Sequence, residues 1–300
     1  MNASPIVRLA LPVHHPFDWS IIAGFLAPRC IPGVEAVDGL AYRRTILLNG
    51  RHGTIELGPG ADGLEVAIRY PDATAHAAIA ERLVRQFDLM TDIAAIAIQF
   101  GRDPLLAPLV ALRPGLRVPG AWDPFELAVR AILGQQVSVA AATTLAGRVA
   151  LSYGAPLQLE DGEPPPPGLF QVFPDPAALI GADPGVLRIP TKRAETIAGL
   201  ARAALAEPAL LMGGLPLGLL VERLDALPGI GPWTAHYIAM RALREPDAFP
   251  SGDLGLRKAM ITAAGLPSFK EMDLRAEAWR PWRAYAALHL WMSLGGATGG

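Results

Sequence analysis

Apolar and polar residues alternate in three runs of the first third of the chain, 40–47, 53–57 and 64–70. A period of two marks a half-buried strand. Asn49-Gly50 separates the first two runs, and Pro59-Gly60-Ala61-Asp62-Gly63 the last two, so together they predict a small antiparallel sheet closed by hairpins. Helical spacing predicts a short amphipathic helix over 18–26, stopped by Pro28, and a longer one over 73–87. These elements make a mixed α/β domain over residues 1–112. Prolines at 104, 108, 114, 119 and 124, with Gly115 and Gly120, mark its boundary.

Beyond that boundary the pattern is helical. Asp123-Pro124-Phe125-Glu126 supplies an N-cap, a proline at the first helical position and a capping-box glutamate, and opens a helix over 125–133. Further helices are predicted over 139–153, 191–206, 216–226, 232–243, 254–264, 273–279 and 282–294, with short ones opened by Asp175-Pro176 and Asp183-Pro184. Four consecutive prolines at 164–167 make 155–170 a stiff extended loop. The fold class is α+β: an N-terminal mixed α/β domain with a small antiparallel sheet, followed by an all-helical region over 113–300.

Composition narrows the chemistry. At 51% hydrophobic and 18% charged, 300 residues can bury a large core. The single cysteine, Cys30, excludes a disulfide framework, a four-cysteine zinc site and a cysteine-ligated iron–sulfur cluster. The most apolar stretch, 128–151, is interrupted by Arg130, Gln135, Gln136 and Arg148, and the N-terminus lacks a targeting pattern. The expectation is a soluble cytoplasmic protein with no membrane partner. Gly58-x-Gly60-x-x-Gly63 has dinucleotide-turn spacing, but a strand follows it where that motif needs a helix, so a hairpin turn is the better reading. His14-His15 has no third ligand at metal spacing, and no HExxH, GxSxG or GxxxxGK[ST] occurs.

The informative stretch runs from Leu224 to Ala235, Leu-Asp-Ala-Leu-Pro-Gly-Ile-Gly-Pro-Trp-Thr-Ala. One helix ends at Pro228 and another starts near Pro232. Between them Gly229 and Gly231 permit positive φ and close backbone approach, and Ile230 plugs the turn. The free amides of the second helix can hold a phosphate. An ordinary corner between two helices is the alternative. Twenty residues beyond Trp233 lies Asp253, which on its own reads as a helix N-cap.

The segment LPGIGPWTAHYIAMRAL…FPSGD resembles the helix-hairpin-helix DNA glycosylases with a Gly/Pro…Asp signature (HhH-GPD). FDWSIIAGFLAPR, RPGLRVPGAWDPFELAVRAILGQQVSVAAA and RPWRAYAALHLW extend the likeness over nearly the whole chain, toward the bacterial DNA-3-methyladenine glycosylase II (AlkA type) branch. The resemblance implies the two-part fold read above. It implies Asp253 as the catalytic aspartate and Trp233, Tyr237 and Trp291 as walls of the base pocket. Gly229, Ile230, Gly231 and Thr234 fall at the DNA-binding hairpin. Gln135 and Gln136 fall where DNA is contacted, with Gln136 as the wedge that enters the duplex. The main-chain carbonyls of Asp225, Leu227 and Ile230 would hold a structural Na+ or K+. No other cofactor is implied.

The implied activity is that of a monofunctional glycosylase. It flips out alkylated bases such as 3-methyladenine and 7-methylguanine, hydrolyses the N-glycosidic bond and initiates base excision repair. A carboxylate stabilises the oxocarbenium-like sugar or orients water onto C1′. An aromatic pocket attracts cationic bases by about 0.5–2 kcal/mol. Trp233 stands where lyase-competent relatives carry a lysine, and an indole cannot form a Schiff base. The three lysines are Lys192, Lys258 and Lys270, with Lys258 five residues past Asp253, so no abasic-site lyase is expected. Three departures from the family pattern stand out: Ser251-Gly252 in place of another acid before Asp253, Met292 after Trp291, and a wedge without leucine's apolar bulk. The alternatives are a non-catalytic hairpin DNA-binding protein and a glycosylase for deaminated or oxidised bases.

The partner implied is double-stranded DNA carrying damaged bases, bound by a monomer. The net charge of −2 bears on how it binds. Residues 1–112 hold 9 basic and 11 acidic groups, and 113–300 hold 17 of each. Five of those acids lie in 160–187, so the rest of the helical region sets 17 bases against 12 acids. Phosphates would be held by hairpin amides and a few arginines rather than by a polybasic surface.

Overall fold

The turn at Asn49-Gly50 has φ of 50° and 74°, the two left-handed positions that a tight hairpin demands. It joins β3 (Ala41–Leu48) to β4 (Arg51–Pro59), after β1 (Val7–Pro12) and β2 (Glu35–Asp38), and β5 (Gly63–Arg69) follows. The strands form one antiparallel sheet in the order β1-β5-β4-β3-β2. The Gly58–Gly63 segment is the β4–β5 hairpin, closed by Gly60 N donating to Gly63 O at 2.8 Å. The computed structural model describes residues 6–160 and 162–295. The outer ends of both expected domains, the first five of the ten residues read for a targeting signal, and Asp161 of the proline loop lie outside the described residues.

Three strands are legible as alternating runs, and two are not. Four-residue β2 has acids at both ends, and it is a strand because β3 pairs with it. The buried face of the sheet carries Tyr42, Ile46, Ile55, Leu57, Leu64, Val66 and Ile68. Ile79 and Leu83 of α2 (His76–Gln86) are buried in the same core. Asp18 caps α1 (Trp19–Leu26) by accepting from Ser20 N at 2.9 Å.

The next two helices, α3 (Ile93–Phe100) and α4 (Ala107–Leu112), lie inside the expected first domain and its proline-marked edge. Their packing is with the C-terminal end of the chain. Gln99 Nε2 donates to Arg280 O at 2.8 Å, and the Asp103 carboxylate accepts from Trp279 Nε1 at 2.7 Å and pairs with Arg275. These contacts tie the stretch just before the proline cluster to the C-terminal helices.

Asp123 caps α5 (Pro124–Leu133) by accepting from Glu126 N at 3.0 Å, but the reciprocal half of the expected capping box is absent. The Glu126 carboxylate is buried against Arg44 at 2.7 Å and Arg130 at 3.7 Å instead. Glu35 completes this group, 3.1 Å from Arg130 and 3.4 Å from Arg44. Two carboxylates and two guanidinium groups thus weld β2 and β3 to α5. Buried here, the Glu126 carboxylate takes the guanidinium partners because a buried charge left unpaired is costly.

Ser138 caps α6 (Val139–Tyr153), and α7 (Pro176–Leu179), α8 (Pro184–Leu187), α9 (Thr191–Ala206), α10 (Leu217–Asp225), α11 (Pro232–Arg241), α12 (Leu254–Ala259), α13 (Phe269–Ala276) and α14 (Arg283–Ser293) follow. Boundaries shift where local chemistry overrides period. Helix α10 stops three residues before Pro228, and α12 stops at Ala259 rather than 264. Helix α13 starts at Phe269 because Ser268 and Glu271 form a complete capping box. The proline loop is a strap. Its ends pair as β6 (Ala155–Pro156) and β7 (Gln171–Val172), and its middle meets the sheet domain through Arg51–Glu160 at 2.6 Å and Arg69 to Pro164 O at 2.8 Å. Among the described residues, no helix is long and apolar enough to cross a membrane.

Candidate active site

Helices α10 and α11 meet at a six-residue turn, and its two glycines do different work. Gly229 has φ of +88°, and a Cβ there would stand 1.9 Å from Thr196 Oγ1 of α9. Both the dihedral and the space require glycine. Gly231 has φ of −94°, and a Cβ added to it meets nothing within 4 Å. The positive φ expected of both glycines is needed only at the first. The space at Gly231 opens on the outside, beside the unsatisfied amides of the first turn of α11.

Ile230 and Thr234, both assigned to DNA contact, are 2% and 3% exposed. Ile230 plugs the turn, and Thr234 Oγ1 accepts from Gln135 Nε2 at 3.0 Å. These two positions present main chain, not side chain, to an outside ligand. Gln135 is also committed internally. Its Nε2 donates to Gly229 O at 2.9 Å, and its carbonyl accepts from Arg193 at 2.8 Å. It locks the end of α5 to the hairpin. Gln136 is exposed beside it in a left-handed conformation, φ 59°. Of the pair, only Gln136 has a side chain directed out of the fold.

Asp253 is both an N-cap and the centre of the site. Its Oδ1 accepts from Leu256 N at 2.8 Å, capping α12. The same oxygen accepts from Trp291 Nε1 at 2.9 Å, and Oδ2 accepts from Trp233 Nε1 at 3.2 Å. The two indoles expected to stack on a base therefore hold the carboxylate by their edges. The carboxylate is 7% exposed and lines an open cleft of about 890 Å³ with Gln136, Gly231, Trp233, Gly252 and Leu254. Tyr237 stacks on Trp233 with centroids 5.4 Å apart and planes 17° apart, and lies 6.2 Å from Trp291. The three aromatic residues and Asp253 are brought together as expected. Gln136 and the Gly231 end of the hairpin line the same cleft.

Trp233 also lines a smaller cavity of about 50 Å³ with Arg29, Arg130 and Tyr237. Arg241 approaches from behind, donating to Tyr237 Oη at 3.1 Å and to Pro119 O. Burial, reinforced by Arg241 and Arg130, draws the Arg29 guanidinium down to about 10, so it stays charged at neutral pH. Burial and the neighbouring Glu35 push the Cys30 thiol up to about 12, which removes it as a nucleophile. Lys258 is exposed on the cleft wall, and Lys192 and Lys270 are not among the lining residues. Met292 is partly buried against the core. Sequence reasoning missed Leu254, which lines the cleft and is exposed directly after the Asp253 cap; a leucine at that position carries no signal of exposure in the sequence. It also missed the arginines behind the pocket, which leave no pattern because they lie on three separate elements.

Helix, glycine hairpin, helix, and a carboxylate twenty residues beyond Trp233 together define a helix-hairpin-helix glycosylase site. Comparison with known proteins agrees. A family model described as the AlkA N-terminal domain matches residues 8–123. The chain is 36% identical over 293 residues to DNA-3-methyladenine glycosylase 2 of Escherichia coli (strain K12), covering 93% of this chain and 95% of that one. It is 41% identical over 290 residues to a probable bifunctional transcriptional activator/DNA repair enzyme AlkA of Mycobacterium tuberculosis (strain ATCC 25618 / H37Rv), covering 96% of this chain but 57% of that longer protein. The fold matches a 3-methyladenine DNA-glycosylase from Archaeoglobus fulgidus with a TM-score of 0.79 at 22% identity, covering 95% and 97% of the two chains. The chain belongs to the DNA-3-methyladenine glycosylase 2 (AlkA) family.

Proposed function

We propose that this protein is a monofunctional DNA glycosylase that excises alkylated bases from double-stranded DNA. The observation that carries the reading is the Asp253 carboxylate, fixed by two indole donors in an open cleft beside the glycine hairpin. The exposed amides at the start of α11 would bind a phosphate, with Gly231 leaving the room for it. Gln136 would fill the gap left by the flipped nucleotide. Asp253 would stabilise positive charge at C1′ as the base departs and orient the water that replaces it. Both indoles donate to this carboxylate, so it faces the sugar in a fixed direction and needs no reorganisation during reaction.

Trp233 carries no amine, so the reaction would end at an abasic site with the strand intact. A Na+ or K+ at the hairpin is a further part of the proposal, held by the carbonyls of Asp225, Leu227 and Ile230. The turn fits this only in part, because Leu227 O already accepts from Ile230 N at 3.0 Å and has one lone pair left. The ion would stiffen the turn and takes no part in bond cleavage.

The test is base release from duplexes that each carry one lesion, scored with and without alkaline cleavage. Release of 3-methyladenine and 7-methylguanine, with breaks only after alkali, supports the reading. Breaks without alkali overturn the monofunctional claim. Release of deaminated or oxidised bases alone overturns the substrate class, and unchanged function in Asp253→Asn would leave a non-catalytic DNA binder.

A further inference from the structure

Tyr237 was read as an aromatic wall, but its hydroxyl has a role that stacking does not use. Arg241 donates to Tyr237 Oη at 3.1 Å. A guanidinium has no acceptor, so this contact engages an oxygen lone pair and turns the phenol's own proton elsewhere. Arg241 is held on the other side by Pro119 O, and its plane lies 4.7 Å from the Phe25 ring centroid, so it cannot swing away without losing both contacts. Arg29 and Arg130 share the 50 Å³ cavity with Tyr237 and Trp233, and its other polar side chain, Thr143, already donates its hydroxyl to Pro28 O at 3.1 Å. A guanidinium cannot accept the phenol's proton either. That cavity is too small for a whole purine, but it takes the edge of one.

We propose that Tyr237 Oη, oriented by Arg241, donates a hydrogen bond to the edge of the flipped base and makes this enzyme selective for how the base leaves. The inference rests on the glycosylase reading above. When the C1′–N bond breaks, its electron pair passes to the base. A cationic alkylated base such as 7-methylguanine then leaves neutral and needs no help. A neutral base such as hypoxanthine leaves as an anion, whose charge spreads onto its edge acceptors. A donor there, backed by guanidinium groups, strengthens as that charge develops. Tyr237 keeps its proton. Water delivers its hydroxyl to C1′, and the proton it sheds ends on a base that leaves as an anion or passes to solvent when the base leaves neutral, so both hydrolyses balance. Tyr237 is thus a specificity-determining residue for neutral lesions, and the pocket serves both leaving-group classes by different means.

Tyr237→Phe keeps the ring, the stacking on Trp233 and the fold, and removes only the hydroxyl. Single-turnover release is measured from duplexes containing hypoxanthine or 7-methylguanine, with melting temperature as the fold control. The expected result is a fall about 10–100-fold larger for hypoxanthine, which loses one hydrogen bond to developing charge, than for 7-methylguanine. Equal loss on both bases, or no loss on either, overturns the proposal. So does a wild-type protein that releases 7-methylguanine but no neutral base. A wild type that releases no base at all overturns the glycosylase reading instead, and the inference falls with it.

Discussion

Trp291 Nε1 donates to Asp253 Oδ1 at 2.9 Å, so an aromatic residue assigned to base stacking is also the principal side-chain support of the carboxylate. Trp291→Phe keeps the ring face and removes the donor. Hydrogen bonds to charged groups are worth about 1.5–3 kcal/mol, so single-turnover base release should fall about 10–100-fold with DNA affinity nearly unchanged. Trp233→Phe loses the longer 3.2 Å contact and should fall less. Asp253→Asn retains a side-chain oxygen able to cap α12, since asparagine caps as well as aspartate. It should melt like the wild type, bind DNA and release no base. Loss of folding in that variant would show that the carboxylate charge held by the two indoles is needed for the fold, not only for the reaction.

Much of this arrangement was legible in the sequence, for identifiable reasons. The order of glycines and prolines located the hairpin, while the aromatic trio and the role of Asp253 came from the family resemblance that this order opened. The sheet was legible wherever alternation persisted for five residues or more. What stayed hidden depends on partners far along the chain. Glu126 looks like a capping-box residue until Arg44 meets it across 82 positions. Gln135 looks like its neighbour Gln136 until Thr234 and Gly229 engage it. The edge-on use of the indoles was hidden as well, because a tryptophan in a sequence does not say whether its face or its N–H is used.

The two hairpin glycines should separate by experiment. Gly229→Ala forces alanine into left-handed backbone, at a cost of roughly 1–2 kcal/mol, and adds the clash with Thr196. It should lower the melting temperature by several degrees. Gly231→Ala has ordinary φ and open space, so its melt should be unchanged while DNA affinity drops, because the added methyl occupies the approach of a phosphate. Equal melting losses in both variants would contradict this division.

Gln135 and Gln136 make the same kind of contrast. Gln135→Ala leaves Gly229 O and Thr234 Oγ1 without their donor, which should cost about 1–2 kcal/mol and raise amide exchange across the hairpin. Gln136→Ala removes an exposed side chain and should leave stability within about 0.5 kcal/mol, while slowing base release from well-paired lesions more than from mispaired ones. Denaturant melts and single-turnover rates on matched and mismatched duplexes check both.

His289 predicts an acid-side weakness. Burial, with Arg113 nearby, lowers its pKa from 6.5 to about 4, and its Nδ1 has no hydrogen-bond partner among the described residues. The unfolded chain therefore takes up a proton at a pH where the folded one does not. The stability this withholds is fully present above about pH 6.5 and is lost progressively as pH falls toward 4, by up to about 3 kcal/mol. His289→Leu should flatten that interval in denaturant melts compared with wild type. Parallel curves for the two proteins would remove His289 as the cause.

Helices α3 and α4 leave the sheet domain and lodge on the C-terminal helices through Gln99 and Asp103. The polypeptide is stitched across its own seam, so a cut at the proline cluster divides contacts that belong together. Severed at residue 112, the helical half would lose the carboxylate that holds Trp279 and Arg275 and would bare the surface that covers Phe100 and Val110.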